Sequence, residues 1–241
     1  MKFAHFVTRQ LRPLAFALVF TTAALGGFAK DSTLNYLAAG KPEAASILPP
    51  PPFPDSAEQN ADLDTVRRVS RLATPVEVAA AMSEKKFSVF NFTPAVGTYF
   101  TEASLPKTAA FFEKIQSDAA NVTDTGKDFF KRPRPYVIDR TLANGKLETS
   151  FSYPSGHSTE SMVLALVLAD LLPDKHDEII LHARQMGWHR VQIGRHYPTD
   201  IYAGRVLAQA IVKQFKKSDE FTSDFNAAKA EIAAAQTAAK N

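Results

Sequence analysis

The stretch Pro154–Leu172 (PSGHSTESMVLALVLADLL) decides the fold of this 241-residue chain. From Met162 onward it is apolar on nearly all sides, which is typical of a helix buried among other helices. Ser155 is a natural N-cap residue, so we predict a helix over His157–Leu172 directly after it. We expect this helix to lie at the centre of the protein.

Segments on both sides of the central stretch have apolar residues at helical period. The predicted helices are the segment after Ser56 that carries Val66, Val69 and Leu72, then Pro75–Ser83, Lys107–Ala120, Asp124–Phe130, Asp177–Ile193, Pro198–Phe215 and a weakly amphipathic tail from Ser223. Phe87–Phe100 is rich in aromatic residues but has no alternating partner segment, so we interpret it as a buried helical or loop element. The sequence therefore predicts an all-α fold, a compact helical bundle.

The N-terminus has the features of a secretory signal peptide. Lys2, Arg9 and Arg12 precede an uncharged stretch, Pro13–Ala29, that ends in small residues. We predict a signal peptide over residues 1–29, cleavage after Ala29 and export to the periplasm. An uncleaved membrane anchor is the alternative.

Residues 30–241 are expected to form one helical domain. Its first part, 30–55, contains the run LPPPPFP from Leu48, which predicts an extended segment, and 223–241 is an Ala-rich tail. The chain has 28 Lys and Arg and 25 Asp and Glu, and three of the basic residues lie in the signal peptide. The exported protein is therefore close to neutral, which gives no argument for a nucleic acid partner.

Two further absences in the sequence limit the class of protein. There is no cysteine, so no disulfide stabilises the exported chain. A helix that spans a membrane needs ~20 apolar residues. After the signal peptide, no stretch of that length is both apolar and free of charge. We therefore expect a soluble mature protein without stable membrane insertion, and a homo-oligomer is compatible with the sequence.

Three short segments carry the chemistry: Lys127–Pro135 (KDFFKRPRP), Pro154–His157 (PSGH) and Arg190–Asp200 (RVQIGRHYPTD). In the first, Lys127 and Arg134 are spaced cations, and the proline after Arg134 fixes the backbone that aims its guanidinium. A guanidinium matches two phosphate oxygens. Taken alone, the four cations of this segment also fit a solvated helix face.

The second segment places a helix start beside those cations. With Ser155 as the N-cap, the amides of Gly156 and His157 point out of the helix toward an anion. Gly156 also lets the backbone approach that anion closely. A plain capped turn with an incidental histidine is the alternative interpretation.

The third segment is the most specific of the three. Pro198 suits the first position of a helix, so His196 and Asp200 are placed for Asp200 to accept a hydrogen bond from the histidine Nδ1. The Nε2 lone pair then faces outward, and Arg190 lies six residues upstream. A purely structural His–Asp pair is one alternative.

A metal site formed by His189, His196 and Asp200 is another alternative, since two histidines and a carboxylate are common metal ligands. The neighbouring cations Arg190 and Arg195 disfavour a divalent ion there. We therefore expect neither a metal ion nor another cofactor.

The three segments together resemble a known signature. K-x6-R-P, P-S-G-H and R-x5-H-x3-D are similar to the motifs of the type 2 phosphatidic-acid-phosphatase superfamily, which includes vanadium-dependent haloperoxidases. More narrowly, the exported chain resembles the bacterial class A non-specific acid phosphatases over roughly Thr33 to Lys229. The LPPPP run and the segments beginning at Ser152 and Asp200 contribute to this resemblance.

The resemblance implies a role for each site residue. The implied catalytic residues are His196 as nucleophile, Asp200 as the residue that orients it and His157 as general acid. The implied phosphate-binding residues are Lys127, Arg134, Ser155, Gly156 and Arg190. The family usually has serine immediately before the third-motif arginine, whereas this chain has His189, which puts the hydrogen bonding behind Arg190 in doubt.

The resemblance thus implies an exported acid phosphatase that hydrolyses phosphate monoesters through a phosphohistidine intermediate, without a metal ion. Phosphoryl transfer to other alcohols is compatible with the same residues. A lipid phosphate phosphatase, a vanadate-dependent haloperoxidase and a non-enzymatic oxyanion-binding protein are the alternatives.

Overall fold

A computed structural model describes residues 34–239. These residues form helices and connecting loops and contain no strand. The helices are α1 (Ala44–Ile47), α2 (Ala57–Leu72), α3 (Pro75–Ser83), α4 (Thr93–Val96), α5 (Pro106–Phe130), α6 (Pro135–Ile138), α7 (Gly156–Leu171), α8 (His176–Gln192), α9 (Pro198–Phe215) and α10 (Asp219–Ala238). Short 3-10 turns occupy Val89–Phe92, Arg140–Leu142 and Pro173–Lys175. The all-α prediction is confirmed. The predicted signal peptide lies outside the described residues.

The central helix is α7, which packs against α5, α8 and α9. Its Leu164, Val167 and Leu168 have no exposed surface, as the continuous apolar run predicts. The Ser155 side chain accepts a hydrogen bond from the Ser158 amide at 3.4 Å and begins the helix. Helix α9 approaches this start closely, because a side chain at Gly204 would lie 3.0 Å from the Ser155 carbonyl oxygen.

Helix α5 corrects one prediction, since it is one continuous helix where the sequence pattern indicated two. Between the two predicted pieces, Val122 and Thr123 are buried and continue the face formed by Ile115 and Ala119. A buried stripe at spacings of three and four residues sustains a helix through polar neighbours. The helix ends at Lys131, whose φ of 51° is left-handed.

The C-terminal helix α10 packs on α5 and begins at Asp219, after the N-cap Ser218. Its Glu231 carboxylate accepts hydrogen bonds from the backbone amides of Lys107 (3.0 Å) and Thr108 (2.7 Å). These amides belong to the first turn of α5, where helical partners are lacking. The tail is thus a cap for α5 as well as a packing element.

The Pro-rich segment lies against the helices as an extended chain from Pro49 to Phe53. Its position is fixed by the Tyr153 hydroxyl, which donates to the Pro49 carbonyl oxygen at 2.8 Å. Further upstream, the buried Asp118 of α5 accepts from the Tyr36 amide at 2.8 Å. Within residues 34–239, none of the helices combines the length and the apolarity needed to cross a membrane.

Candidate active site

The three sequence segments meet at one place, where the end of α5, the start of α7 and the α8–α9 connection come together. The Arg134 Nη1 atom lies 3.1 Å from His196 Nε2, and the Ser155 amide donates to the Asp200 carbonyl oxygen at 3.1 Å. The Lys127 Nζ atom is 3.2 Å from the point where a side chain at Gly156 would begin. The structure therefore brings together the predicted residues of all three segments.

His196 is almost fully buried and has a defined tautomer. Its Nδ1 lies 3.3 Å from the Asp200 Oδ2 atom, and its Nε2 faces the Arg134 guanidinium. Because a carboxylate only accepts and a guanidinium only donates, the proton is on Nδ1 and the lone pair is on Nε2. Burial, followed by the charges of Arg134 and Arg190, lowers the pKa of His196 well below its ordinary 6.5. The imidazole therefore stays neutral in weak acid.

Asp200 is completely buried and accepts several hydrogen bonds. Its Oδ2 accepts from the Ser152 hydroxyl at 2.5 Å and from the Tyr197 amide at 2.9 Å, and its Oδ1 accepts from Arg132 at 2.6 Å. Burial raises the pKa of Asp200, and the Arg132 charge and these donors act in the opposite direction. The carboxylate is fixed in position to orient the His196 ring.

Arg132 is a site residue that the sequence analysis missed. It lies behind the site, between Asp200 and Asp62 of α2, with 2.8 Å to the Asp62 Oδ2 atom. Its guanidinium carbon is 3.9 Å from the centre of the Tyr197 ring. The sequence feature that could have indicated a buried partner for Arg132 is Asp62, an acidic residue four positions before Val66 on the apolar face of α2.

His157 is half-buried at the first turn of α7. Its Nε2 atom lies 3.1 Å from the carbonyl oxygen of Glu84, the residue that ends α3. A carbonyl only accepts, so Nε2 carries a proton and Nδ1 is the nitrogen that exchanges one. Burial, followed by the charge of Arg190, lowers the pKa of His157 to about 3.

Glu148 is the second residue that the motifs did not reveal. It lies on the loop before α7, and its Oε1 atom is 2.5 Å from Arg190 Nη2. Its Oε2 atom is 3.6 Å from both Arg134 Nη1 and Arg195 Nε. This carboxylate therefore contacts the guanidinium groups in the manner expected of a phosphate oxygen.

Arg195 holds the loop that carries Glu148. Its Nη2 donates to the carbonyl oxygens of Asn144 and Lys146, the latter at 3.1 Å. Its Nη1 and the Arg190 Nε are buried donors without an acceptor among residues 34–239. Buried donors normally have partners, so these two suit an anion that enters the site.

The Lys127 edge of the site contains two carboxyl groups. Lys127 Nζ lies 2.9 Å from Asp124 Oδ1, one turn earlier on α5. Glu160 of α7 accepts from Gln116 at 3.1 Å, and burial raises the pKa of Glu160 to about 7. Glu160 is therefore partly protonated near neutral pH.

The alternative metal site does not form from its three proposed ligands. His189 Nδ1 contacts the two Glu84 carboxylate oxygens at 2.9 and 3.0 Å, whereas His196 contacts Asp200. Among the described residues, no group of three His, Cys, Asp or Glu residues is arranged to hold a metal ion.

Comparison with known proteins shows which family the site resembles. Residues 111–219 match the sequence profile of the PAP2 superfamily. The chain is 29% identical to a non-specific acid phosphatase of Providencia stuartii, over 79% of this chain and 81% of that protein. It is 27% identical to an acid phosphatase of Zymomonas mobilis, over 80% and 76% of the two chains.

A solved structure shows the same fold. It is the crystal structure of the first transmembrane PAP2 type phosphatidylglycerolphosphate phosphatase from Bacillus subtilis, with a TM-score of 0.50 and 21% identity over 72% of this chain and 89% of that one. The matched residues 111–219 include all eight predicted site residues, from Lys127 to Asp200. The segment that contains the site therefore resembles the PAP2 superfamily, and the chain is similar to bacterial non-specific acid phosphatases.

Proposed function

We propose that this protein is an exported acid phosphatase that hydrolyses phosphate monoesters through a phosphohistidine on His196, without a metal ion. The match to the PAP2 superfamily and the similarity to acid phosphatases support phosphoric monoester hydrolysis. The observation that carries the mechanism is the His196 Nε2 lone pair, held by Asp200 and directed at the guanidinium of Arg134.

In the first step, His196 Nε2 attacks phosphorus and forms the N–P bond while the P–O bond to the alcohol breaks. Arg134, Arg190 and Lys127 stabilise the charge on the non-bridging oxygens, and so do the amides at the start of α7. The electron pair of the broken bond goes to the leaving oxygen. Because the pKa of His196 is low, its nucleophilic form persists in acid.

The leaving oxygen takes its proton from His157 Nδ1, the ring nitrogen that is free to exchange. In the phosphate-free site the pKa of His157 is about 3, partly because of Arg190, Lys127 and Arg134. A bound dianion offsets those cations and raises the pKa, so the imidazolium forms when substrate is present. Neutral His157 then removes a proton from water, which attacks phosphorus, breaks the N–P bond and releases phosphate.

Two variants test this mechanism. His196→Ala should lose about 1,000-fold or more in turnover on every substrate, since the covalent route is gone. His157→Ala should retain far more activity on p-nitrophenyl phosphate, whose leaving group is already stable, than on glycerol phosphate. It should also accumulate an acid-labile, alkali-stable phosphoryl adduct on His196. Equal losses on both substrates without an adduct would contradict the assigned roles.

Metal independence and export have separate tests. Dialysis against EDTA should leave turnover within about twofold, whereas orthovanadate should inhibit as a mimic of the five-coordinate transition state. Loss of activity on chelation, restored by a divalent ion, would favour a metal enzyme. The protein from a periplasmic fraction should begin near Lys30, and an intact Met1 form in membranes would contradict signal cleavage.

A further inference from the structure

We propose that the Glu84–His189 pair positions the general acid His157, and this inference rests on the proposed function. His189 occupies the place where the family usually has serine, directly before the phosphate-binding Arg190. Neither Glu84 nor His189 contacts phosphate in the proposed mechanism. Their role follows from the contacts that join α3, α8 and the start of α7.

The first contact is between His157 and the backbone of Glu84. The Glu84 carbonyl oxygen lies 3.1 Å from His157 Nε2, and the Glu84 amide donates to the Ala80 carbonyl at 3.2 Å. Glu84 therefore ends α3, with its carbonyl beyond the last turn and aimed at the imidazole. The position of that carbonyl depends on what holds the end of α3.

The second contact holds the end of α3. Both carboxylate oxygens of Glu84 lie within 3.0 Å of His189 Nδ1, and the two side chains are only 11% and 20% exposed. His189 belongs to the last turn of α8, next to Arg190. The pair thus ties the acceptor of His157 to the helix that supplies a phosphate-binding guanidinium.

These contacts decide which nitrogen of His157 transfers the proton. As long as the carbonyl accepts from Nε2, the ring keeps one orientation and directs Nδ1 toward the leaving oxygen. Without the Glu84–His189 pair, the end of α3 is released and the ring loses its fixed partner. A proton donor displaced by about 1 Å can lose about 100-fold in rate.

The expected signature is a loss that depends on the leaving group. In His189→Ala, kcat/KM for glycerol phosphate should fall about 10-fold to 100-fold, whereas kcat/KM for p-nitrophenyl phosphate should fall less than about threefold. We choose kcat/KM because it reports the step that expels the alcohol. His189→Gln retains a donor for Glu84 and should recover most of the loss on glycerol phosphate.

A matched control separates positioning from general loosening. Gln192 of α8 also links to α3, through Glu77 Oε1 at 2.8 Å, but this link lies away from His157. Gln192→Ala should therefore lower kcat/KM for both substrates alike or for neither. Thermal unfolding of all three variants gives their melting temperatures, and all assays are run below the melting temperature of the least stable variant.

Three outcomes would overturn the inference. Unchanged rates in His189→Ala mean that the pair has no role in catalysis, and equal losses on both substrates mean that His189 acts through Arg190. The same leaving-group dependence in Gln192→Ala means that any loosening of α3 suffices. If His157→Ala itself shows no dependence on the leaving group, the role of His157 as general acid is contradicted too. If only His157→Ala shows that dependence, the positioning role of the Glu84–His189 pair alone is contradicted.

Discussion

At the residue scale, the position of His196, the proposed nucleophile, depends on a buried chain of charges that reaches from His196 to α2. Asp200 orients His196, Arg132 holds Asp200, and Asp62 holds the other side of the Arg132 guanidinium. Burying two carboxylates and a guanidinium is costly, and the arrangement is stable only while every member keeps its partner. Removing the outermost member should therefore affect both stability and activity.

Asp62→Asn tests this dependence against a neighbour on the same helix. Loss of the Asp62 charge leaves part of the buried Arg132 guanidinium without a counter-charge and should reduce the free energy of unfolding by about 3 kcal/mol. Asp64→Asn removes an exposed partner of Arg67 and should have no measurable effect. Chemical denaturation of both variants measures the difference. Equal stabilities would contradict the dependence.

Glu148 gives a second prediction at this scale. Its carboxylate contacts Arg190 at 2.5 Å, so an incoming phosphate has to compete with it. Glu148→Gln keeps the shape but removes the charge, and the inhibition constant of inorganic phosphate should fall about 10-fold, or ~1.4 kcal/mol. The exposed Glu178→Gln is the control. Weaker phosphate binding would show instead that Glu148 positions Arg190.

Spacing along the sequence predicted contacts between neighbouring residues and missed contacts between distant ones. His196 lies two residues before α9 and Asp200 lies in its first turn, so their contact needs only four residues of chain. Arg132 and Glu148 meet their partners 70 and 42 residues away, respectively. No local spacing encodes these contacts, which depend on how α2 and the loop before α7 pack.

At the element scale, the first turns of α7 combine the proposed anion-binding amides with the partly buried carboxyl group of Glu160. Helices with uninterrupted apolar faces, such as α7 and α9, were predicted almost to the residue. The pattern failed in α5, where polar residues between Ala120 and Asp124 suggested a break that buried Val122 and Thr123 prevent. The period of apolar residues alone does not show that a short polar stretch is buried, because that burial depends on which other helix packs there.

Glu160 of α7 gives a pH-dependent prediction. Its pKa rises from an ordinary 4.5 to about 7 on folding, chiefly through burial, so the folded protein binds more protons than the unfolded chain between these values. Stability from this group is therefore present in acid and is lost as pH rises through 7. Glu160→Gln should gain several degrees of melting temperature over wild type between pH 5 and 8.

The control for Glu160 is Asp170→Asn on the same helix, where the carboxylate is exposed and pairs with Lys216 at 2.7 Å. Its melting temperature should follow that of wild type across the same range of pH. If the difference between Glu160→Gln and wild type does not change with pH, the carboxyl group titrates at the same pH in the folded and unfolded chains.

At the scale of the whole molecule, the site is a cationic centre in which two histidines, His157 and His196, lie beside guanidinium groups. Burial and the cations lower the pKa values of His157 and His196, and Glu148 lies among the same guanidinium groups. A bound dianion raises the pKa of both histidines, because negative charge favours protonation of its neighbours. Anion binding should therefore take up protons.

Sulfate tests this linkage, since it remains a dianion throughout the range of pH from 4 to 8. Because the pKa of both histidines is higher in the complex, sulfate affinity should fall as pH rises, and sulfate should raise the melting temperature most at pH 4. Chloride at equal ionic strength is the control for general screening. In His157→Ala one titrating group is gone, so the slope of affinity against pH should be shallower. A stabilisation by sulfate that stays constant with pH would mean that the anion binds without changing the protonation of the site, and it would leave His157 without the proton that the proposed mechanism requires.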